Sequence, residues 1–180
     1  KAQFWRSVLL WREILMRGAI FDLDGTLLDS MSIWQEQIEC FVRSKGVTPP
    51  ENLINMTKTL GTAQAIVKII EWFHLEDDPQ EALAQFEKIM FRYYQRSLPL
   101  KPHALDYLQT LQSAHIPMVI ATATAQPLVA AALKRLQIAD YFQFVLTVGD
   151  VGVGKEDPTL CLTCAQRLNL PPEDCTVFED

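Results

Sequence analysis

The chain has 180 residues, of which 49% are hydrophobic and 21% charged, and its formal net charge is -6. This composition is typical of a globular protein that fits one ordinary domain, or a small domain carrying an insertion. The acidic balance, without clustered Lys and Arg, argues against a nucleic-acid partner, because phosphate binding needs concentrated positive charge.

Residues 1–15 form an N-terminal extension that stands apart from the rest of the chain. Phe4, Val8, Trp11 and Leu15 recur at helical spacing, with charged residues between them. The apolar run is too short and too charged to span a membrane, and no small-residue cleavage site of a signal peptide follows it. Two interpretations stay open: an extension foreign to the natural protein, or an amphipathic helix that docks on a partner or covers exposed core.

The first predicted strand ends in two aspartates one residue apart. The apolar residues 18–21 (Gly-Ala-Ile-Phe) lead into residues 22–26 (Asp-Leu-Asp-Gly-Thr). Residues i and i+2 of a strand share a face, so Asp22 and Asp24 point together, and Gly25 lets the backbone turn sharply. Such a nest of carboxylates and free N–H groups suits a phosphate with a hard metal ion. For this motif alone, the alternative is a common Asp-Gly turn without a ligand.

Residues 29–100 have a helical pattern without the alternation of strands. Ile33 and the apolar residues after it indicate a first helix, and two more are predicted at 65–73 and 81–94. The segment is therefore predicted to be an all-helical insertion between the first strand and the remaining α/β pattern.

Beyond residue 100, helices and strands alternate along the chain. The predicted elements are a helix at 103–113, a strand at 118–122, a helix at 127–136, a strand at 144–148, a helix at 158–168 and a strand at 176–178. The strands are short apolar runs, as expected for parallel strands buried on both faces, so the fold class is α/β with a doubly wound parallel sheet. Ligands of such sheets bind beyond the carboxyl ends of the strands, where Asp22, Thr122, Lys155 and Asp180 all lie.

The four cysteines are interpreted as reduced thiols of a cytosolic protein, because nothing else in the chain resembles a small disulfide framework. Cys161 and Cys164 form a C-x-x-C motif, but no second Cys/His pair completes a zinc site. Packing within a helix is the favoured explanation for both. The three histidines are far apart in sequence and have no metal-ligand spacing.

Four motifs, in this order, resemble those of the haloacid dehalogenase-like (HAD) hydrolase superfamily over about residues 17–180. The matching segments are 22–26 (Asp-Leu-Asp-Gly-Thr), 118–122 (Met-Val-Ile-Ala-Thr), 155–158 (Lys-Glu-Asp-Pro) and 176–180 (Thr-Val-Phe-Glu-Asp). The resemblance implies a HAD core at 16–28 and 101–180, with the helical cap of subfamily I at 29–100. It favours phosphoryl over halide chemistry, because the haloacid dehalogenase itself lacks the aspartate that matches Asp24.

The resemblance also implies the catalytic and metal-binding roles. Asp22 would be the nucleophile that forms an aspartyl-phosphate, and Asp24 the general acid and then the general base. Mg²⁺ would be held by the Asp22 carboxylate, the Asp24 backbone carbonyl and the Asp180 carboxylate, with Glu179 as a further acid beside them.

Three residues are expected to bind the substrate. By resemblance, Thr122 would hydrogen-bond a phosphate oxygen and Lys155 would neutralise the phosphoryl group and Asp22. Lys58 lies in a segment, residues 58–62, that resembles the substrate loop of the cap. The alternatives are that Thr122 caps the following helix and that Lys155 is simply solvated.

The predicted function is that of a Mg²⁺-dependent phosphatase acting on a small phosphorylated metabolite, as a cytoplasmic monomer without nucleic-acid or membrane partners. A sugar-phosphate mutase of the β-phosphoglucomutase type is an alternative. It is weakened because many relatives carry a histidine shortly after Asp29-Ser30, whereas this chain has Trp34 there. The family's C-terminal strand is expected to be missing. Either the protein continues past Asp180, or this is a truncated, non-catalytic binding or regulatory protein on the same scaffold.

Overall fold

The sheet consists of four parallel strands. The computed structural model describes residues 16–57 and 60–180, so the predictions for residues 1–15 and for Lys58 lie outside the described residues. The strands are β1 (Gly18–Phe21), β2 (Met118–Thr122), β3 (Val145–Thr147) and β4 (Cys175–Phe178). They are arranged in the order β3-β2-β1-β4, and every neighbouring pair is parallel. The predicted α/β class is confirmed.

In the described chain, five α-helices lie between β1 and β2, one lies between β2 and β3, and two lie between β3 and β4. They are α1 (Met31–Ser44), α2 (Leu53–Thr57), α3 (Thr62–Trp72), α4 (Pro79–Arg96), α5 (Ala104–Ser113), α6 (Gln126–Leu136), α7 (Val148–Val151) and α8 (Thr159–Arg167). Between β1 and β2 the described residues form helices and no strand. None of the described helices combines the length and the apolar character that crossing a membrane requires.

The central strand is apolar on both faces because helices cover both faces of the sheet. Ala19 and Phe21 of β1 belong to one buried cluster, whereas Ile20 packs into another with Leu160 and Cys164 of α8. Successive side chains of a strand point to opposite faces, so this partition means that the sheet is doubly wound.

Helix α4 shows how the helical segment packs. Asp78 caps its N-terminus by accepting hydrogen bonds from two backbone N–H groups, with a proline in the first helical position. Ala82, Phe86, Met90 and Tyr94, spaced four residues apart, form its buried face. Burying a large apolar side chain of this kind contributes roughly 1.5–3 kcal/mol.

The strand register brings the candidate residues to one edge of the sheet. Phe21 pairs with Ile120 of β2 and with Phe178 of β4, and the rings of Phe21 and Phe178 stack 4.5 Å apart. The next backbone N–H, that of Asp22, donates to the Phe178 carbonyl at 2.9 Å. The strand order reverses between β1 and β4, which is where a parallel sheet opens a crevice at its carboxyl edge.

Two short helices, α2 and α7, were not predicted from the sequence. Each spans about one turn, and α7 is held by a capping box in which Thr147 and Asp150 bond each other's backbone and side chain. Such short helices have too few residues to show a periodic pattern. The interpretation of the C-x-x-C motif is confirmed, because Cys161 and Cys164 are free thiols within α8.

Candidate active site

A cavity of about 310 Å³ lies between the helical segment and the carboxyl edge of the sheet. The lining residues from the helical segment are Met31, Trp34, Ile38, Ile54, Thr57, Leu60, Thr62 and Ala65. Those from the sheet side are Asp22, Asp24, Thr122, Ala123, Thr124, Lys155, Glu179 and Asp180. The structure therefore brings the predicted Asp22, Asp24, Thr122, Lys155, Glu179 and Asp180 into one cavity.

Asp22 and Lys155 form a buried ion pair in this cavity. The Lys155 Nζ lies 2.6 Å from the Asp22 Oδ1, and their side chains are only 13% and 7% exposed. The same ammonium donates to both carboxylate oxygens of Glu179, at 2.9 and 3.2 Å. The alternative of a solvated Lys155 is therefore wrong, because the turn before α8 directs its side chain into the site.

The electrostatics of the pair reflect burial in a largely acidic surrounding. Burial raises the pKa of Asp22 from 3.8 to about 7, although the Lys155 charge acts in the opposite direction, and the Glu179 and Asp24 charges raise it further. Burial alone would lower the pKa of Lys155, but the charges and hydrogen bonds of Asp22 and Glu179 outweigh it, so this pKa is raised. The site is therefore short of positive charge when Asp22 is ionised.

Three carboxylates in this cavity could share one cation. Asp22, Glu179 and Asp180 each offer a carboxylate oxygen, and these oxygens lie within 4.8 Å of one another. Gly25 makes room for the group, because a Cβ at this position would come within 2.9 Å of the Asp180 carboxylate. Its φ of +85° also belongs to the region that favours glycine. A hard, oxygen-seeking cation fits this donor set.

Thr122 ends β2 with its side chain in the cavity, 1% exposed as a residue. Its Oγ1 accepts a hydrogen bond from the Thr124 backbone N–H at 3.2 Å. Helix α6 begins only at Gln126, with Ala125 in the capping position. The alternative that Thr122 serves as the cap of this helix is therefore wrong.

The side chain of Asp24 makes contacts that sequence reasoning missed. Its Oδ1 accepts from the Tyr94 hydroxyl and its Oδ2 from the Thr124 hydroxyl, each at 2.5 Å. The Trp34 Nε1 in turn donates to the Tyr94 oxygen at 2.8 Å. Only Thr124 left a signal in the sequence, as a second threonine two residues after Thr122. Both carboxylate oxygens of Asp24 are therefore engaged in hydrogen bonds.

The wall contributed by the helical segment is mostly apolar. Trp34, Ile38 and Leu60 belong to it, and the Trp34 ring also packs on Phe86 with centroids 5.7 Å apart. Lys58 lies outside the described residues, although its neighbour Thr57 lines the cavity. An organic group held here would thus face hydrocarbon on one side and the charged sheet edge on the other.

Fold and site together define an enzyme of the α/β class, with an acidic cavity at the switch point of a parallel sheet. A family model described as a haloacid dehalogenase-like hydrolase matches residues 16–180. The chain belongs to this family. The predictions of HAD-like membership and of a hydrolase enzyme are thereby confirmed, and the non-catalytic alternative is not supported.

Individual relatives agree with this assignment. The chain is 27% identical over 165 residues to a phosphorylated carbohydrates phosphatase of Thermotoga maritima, covering 92% of this chain and 76% of the relative. It is 29% identical over 186 residues to a phosphoglycolate phosphatase of Shigella boydii, covering 92% and 74%. The solved structure of a β-phosphoglucomutase from Clostridium difficile superposes with a TM-score of 0.81 at 20% identity, covering 92% and 76%, and shows the same fold.

Proposed function

We propose that this protein is a Mg²⁺-dependent phosphoric monoester hydrolase that acts on a small phosphorylated metabolite through an aspartyl-phosphate. The observation that carries the proposal is the buried Asp22–Lys155 pair, 2.6 Å apart, in a cavity shared with Asp180 and Thr122. A nucleophilic carboxylate, a fixed ammonium and a cation-binding group of acids are the parts that phosphoryl transfer needs. The names of the phosphatase relatives support the same substrate class.

The metal ligands in this proposal are the Asp22 and Asp180 carboxylates and the Asp24 backbone carbonyl, with Glu179 beside them. The carboxylate oxygens of Asp22, Glu179 and Asp180 lie within 4.8 Å of one another, and burial holds the pKa of Asp22 near 7. Both facts favour a bound cation as a way to stabilise the ionised site. When bound, Mg²⁺ would offset this repulsion and the charge on the phosphoryl oxygens.

Asp22 would act as the nucleophile. A carboxylate oxygen forms a bond to phosphorus while the bond from phosphorus to the ester oxygen breaks, which leaves a phosphoryl group on Asp22. Lys155 and the Thr122 hydroxyl would hold the phosphoryl oxygens. Both are fixed before substrate arrives, Lys155 by its carboxylate partners and Thr122 by the Thr124 N–H.

Asp24 would move the protons. It gives a proton to the departing ester oxygen, and in the second step takes one from the water that attacks the phosphoryl group on Asp22. Inorganic phosphate leaves, and both aspartates return to their starting states. Asp24 is two residues from the nucleophile and lines the same cavity, which supports this division of roles.

We assign residues 29–100 to a cap over a core formed by 16–28 and 101–180. Helices α1, α2 and α3 supply the apolar side of the cavity, so they would contact the organic part of the substrate and exclude water. Lys58 remains a proposed substrate-binding residue, because Thr57 beside it lines the cavity.

Hydrolysis is favoured over a mutase reaction. The segment after Asp29-Ser30 offers Trp34 to the cavity, and the Trp34 ring nitrogen is engaged with Tyr94. No histidine of the described residues lines this cavity, so a mutase would have to hold its intermediate by other means.

The test is an assay of purified protein on a panel of phosphate monoesters with and without Mg²⁺. Asp22→Asn is expected to lower kcat/KM by about 10³-fold or more, because it removes the nucleophile. Asp106→Asn, an exposed aspartate on α5, is the matched control and is expected to leave activity unchanged. A phosphoryl adduct on Asp22, trapped by acid and located by mass spectrometry, would support the intermediate. Equal activity of wild type and Asp22→Asn would overturn the proposal.

A further inference from the structure

The carboxylate of Asp24 is held at both oxygens by hydroxyl groups. The Tyr94 hydroxyl donates to Oδ1 and the Thr124 hydroxyl to Oδ2, each at 2.5 Å. Tyr94 belongs to α4 in the helical segment, whereas Thr124 follows β2 of the sheet. The carboxylate is thus oriented by two different parts of the fold.

The hydrogen bond from Tyr94 has a fixed direction. Tyr94 is 0% exposed, and its oxygen accepts from the Trp34 Nε1, a group that can only donate. The Asp24 Oδ1 accepts the Tyr94 proton, and the Thr124 hydroxyl is a further hydrogen-bonding neighbour of the Tyr94 oxygen.

Tyr94 is itself anchored from the sheet side. Arg135 of α6 donates from its Nε to the Tyr94 backbone carbonyl at 2.9 Å, and another guanidinium nitrogen donates to the Leu98 carbonyl. The ring also meets Trp34 edge-on, with centroids 6.5 Å apart. These contacts fix the backbone and the ring, so the hydroxyl can hold its partner in one position.

We propose that Tyr94 is a positioning residue for Asp24, fixing Oδ1 as an acceptor so that protons pass through Oδ2, beside Thr124. The inference rests on the proposed function. It assigns a role to Tyr94, which takes no direct part in the proposed reaction. A threonine hydroxyl can donate or accept by rotating, so Thr124 tolerates Oδ2 with and without a proton. Tyr94 lacks this freedom because Trp34 occupies its oxygen.

This role has a consequence that a purely structural role lacks. Proton donation is needed most when the departing oxygen is strongly basic, as in an alkyl phosphate, and hardly at all when a nitrophenolate leaves. Misplacing Asp24 should therefore slow the cleavage of alkyl phosphates selectively. Loss of folded protein would slow both classes of ester by the same factor.

The experiment compares Tyr94→Phe with wild type on an alkyl phosphate and on p-nitrophenyl phosphate, measuring kcat/KM for each. The value of kcat/KM reports on the steps up to and including the first phosphoryl transfer, in which the leaving group departs. We expect Tyr94→Phe to lower the value for the alkyl phosphate by about 10-fold or more, and that for p-nitrophenyl phosphate by less than about 3-fold.

Tyr93→Phe is the matched control. Tyr93 is the preceding residue of α4, and its hydroxyl accepts from the Gln37 Nε2 of α1 at 3.2 Å, away from Asp24. The variant loses a hydroxyl between the same two helices and should keep the wild-type ratio between the two esters. In an Asp24→Ala background, Tyr94→Phe should no longer change that ratio, because the group it positions is gone.

The outcomes separate this inference from the proposed function. A uniform loss on both esters, or a selective loss that persists without Asp24, would overturn the positioning role while Asp22→Asn still abolished activity. Wild type without phosphatase activity, or an active Asp22→Asn variant, would overturn the proposed function and this inference with it. A selective loss in Tyr94→Phe alone, absent from Tyr93→Phe, would support it.

Discussion

In the proposed mechanism, Asp22 has two roles that make opposite demands on its surroundings. Burial keeps water away from it and raises its pKa to about 7, yet a nucleophile and metal ligand has to be ionised. Lys155 supplies one positive charge at 2.6 Å, but Glu179 shares that ammonium. The carboxylate therefore gains most from a further cation in the same cavity.

We predict that Mg²⁺ stabilises the protein more at about pH 8 than at about pH 5.5. Between pH 3.8 and about 7, the folded protein without metal holds a proton on Asp22 that the unfolded chain has released. The contribution of Asp22 to stability is thus complete below pH 3.8 and is lost as the pH rises through about 7. Metal binding needs the ionised form of Asp22. Bound Mg²⁺ should therefore add most to stability above about pH 7, where Asp22 is already ionised in the folded protein.

Thermal unfolding with and without Mg²⁺ at the two pH values measures this effect. Asp22→Asn removes the titrating group and should show a smaller, less pH-dependent response to Mg²⁺. An equal Mg²⁺-induced rise in Tm of wild type at both pH values would contradict the prediction.

Among single residues, the sequence predicted the site residues next to strand and helix ends. It did not predict Tyr94, which holds one of them in place. Asp22, Thr122 and Lys155 lie next to strand or helix ends whose apolar runs were readable. Tyr94 lies four residues after Met90 on the buried face of α4, where spacing indicates only core packing. Its hydroxyl reaches Asp24 through the tertiary fold, which no local pattern encodes.

The close approach of the Asp22, Glu179 and Asp180 carboxylates depends on the turn after β1. It reverses at Gly25, whose φ is +85° and whose missing Cβ leaves room for the Asp180 carboxylate. The Gly25 N–H donates to the Leu28 carbonyl at 2.9 Å, closing the turn. Any side chain at this position would be strained by the positive φ. It would also collide with the Asp180 carboxylate, a proposed metal ligand.

We predict that Gly25→Ala weakens Mg²⁺ binding as well as stability. The positive φ should cost about 1 kcal/mol, and a Cβ within 2.9 Å of Asp180 should displace its carboxylate. Gly46→Ala is the matched control, because Gly46 has a φ of +77° and nothing within 4 Å of an added Cβ. Calorimetric titration with Mg²⁺ should show weaker binding for Gly25→Ala only. Equal affinity in both variants would contradict the prediction.

The elements themselves were largely predictable. The strand at Met118–Thr122 was predicted with its observed bounds, and the observed helix Pro79–Arg96 begins and ends two residues outside the predicted one. Long periodic or continuous apolar runs carry this information. The one-turn helices α2 and α7 depend on local hydrogen bonds within a few residues, which a periodicity search cannot detect.

On the scale of the whole molecule, the cavity depends on how the helical segment is attached to the sheet. Arg135 of α6 makes one such attachment by donating to the Tyr94 and Leu98 carbonyls near the end of that segment. These acceptors belong to residues that are buried, so an unpaired carbonyl there would be costly. The order of elements predicted an inserted helical segment, but not this attachment.

We predict that Arg135→Met lowers the free energy of unfolding by about 1–3 kcal/mol, because charged hydrogen bonds to backbone carbonyls are lost. Lys134→Met, an exposed neighbour on the same helix, should change it by less than about 0.5 kcal/mol. Urea denaturation measures both values. Similar stabilities of the two variants would mean that packing between α4 and α6 suffices without the guanidinium.

The pairing of β1 with β4 has a consequence for folding during synthesis. A ribosome makes Asp22 early, whereas Lys155, Glu179 and Asp180 are added only after most of the described chain has been synthesised. Until β4 docks, the aspartate is a water-exposed side chain of ordinary acidity, with neither an ammonium nor fellow carboxylates around it. In the proposed mechanism, a nascent chain therefore has no complete catalytic site until β4 has docked beside β1.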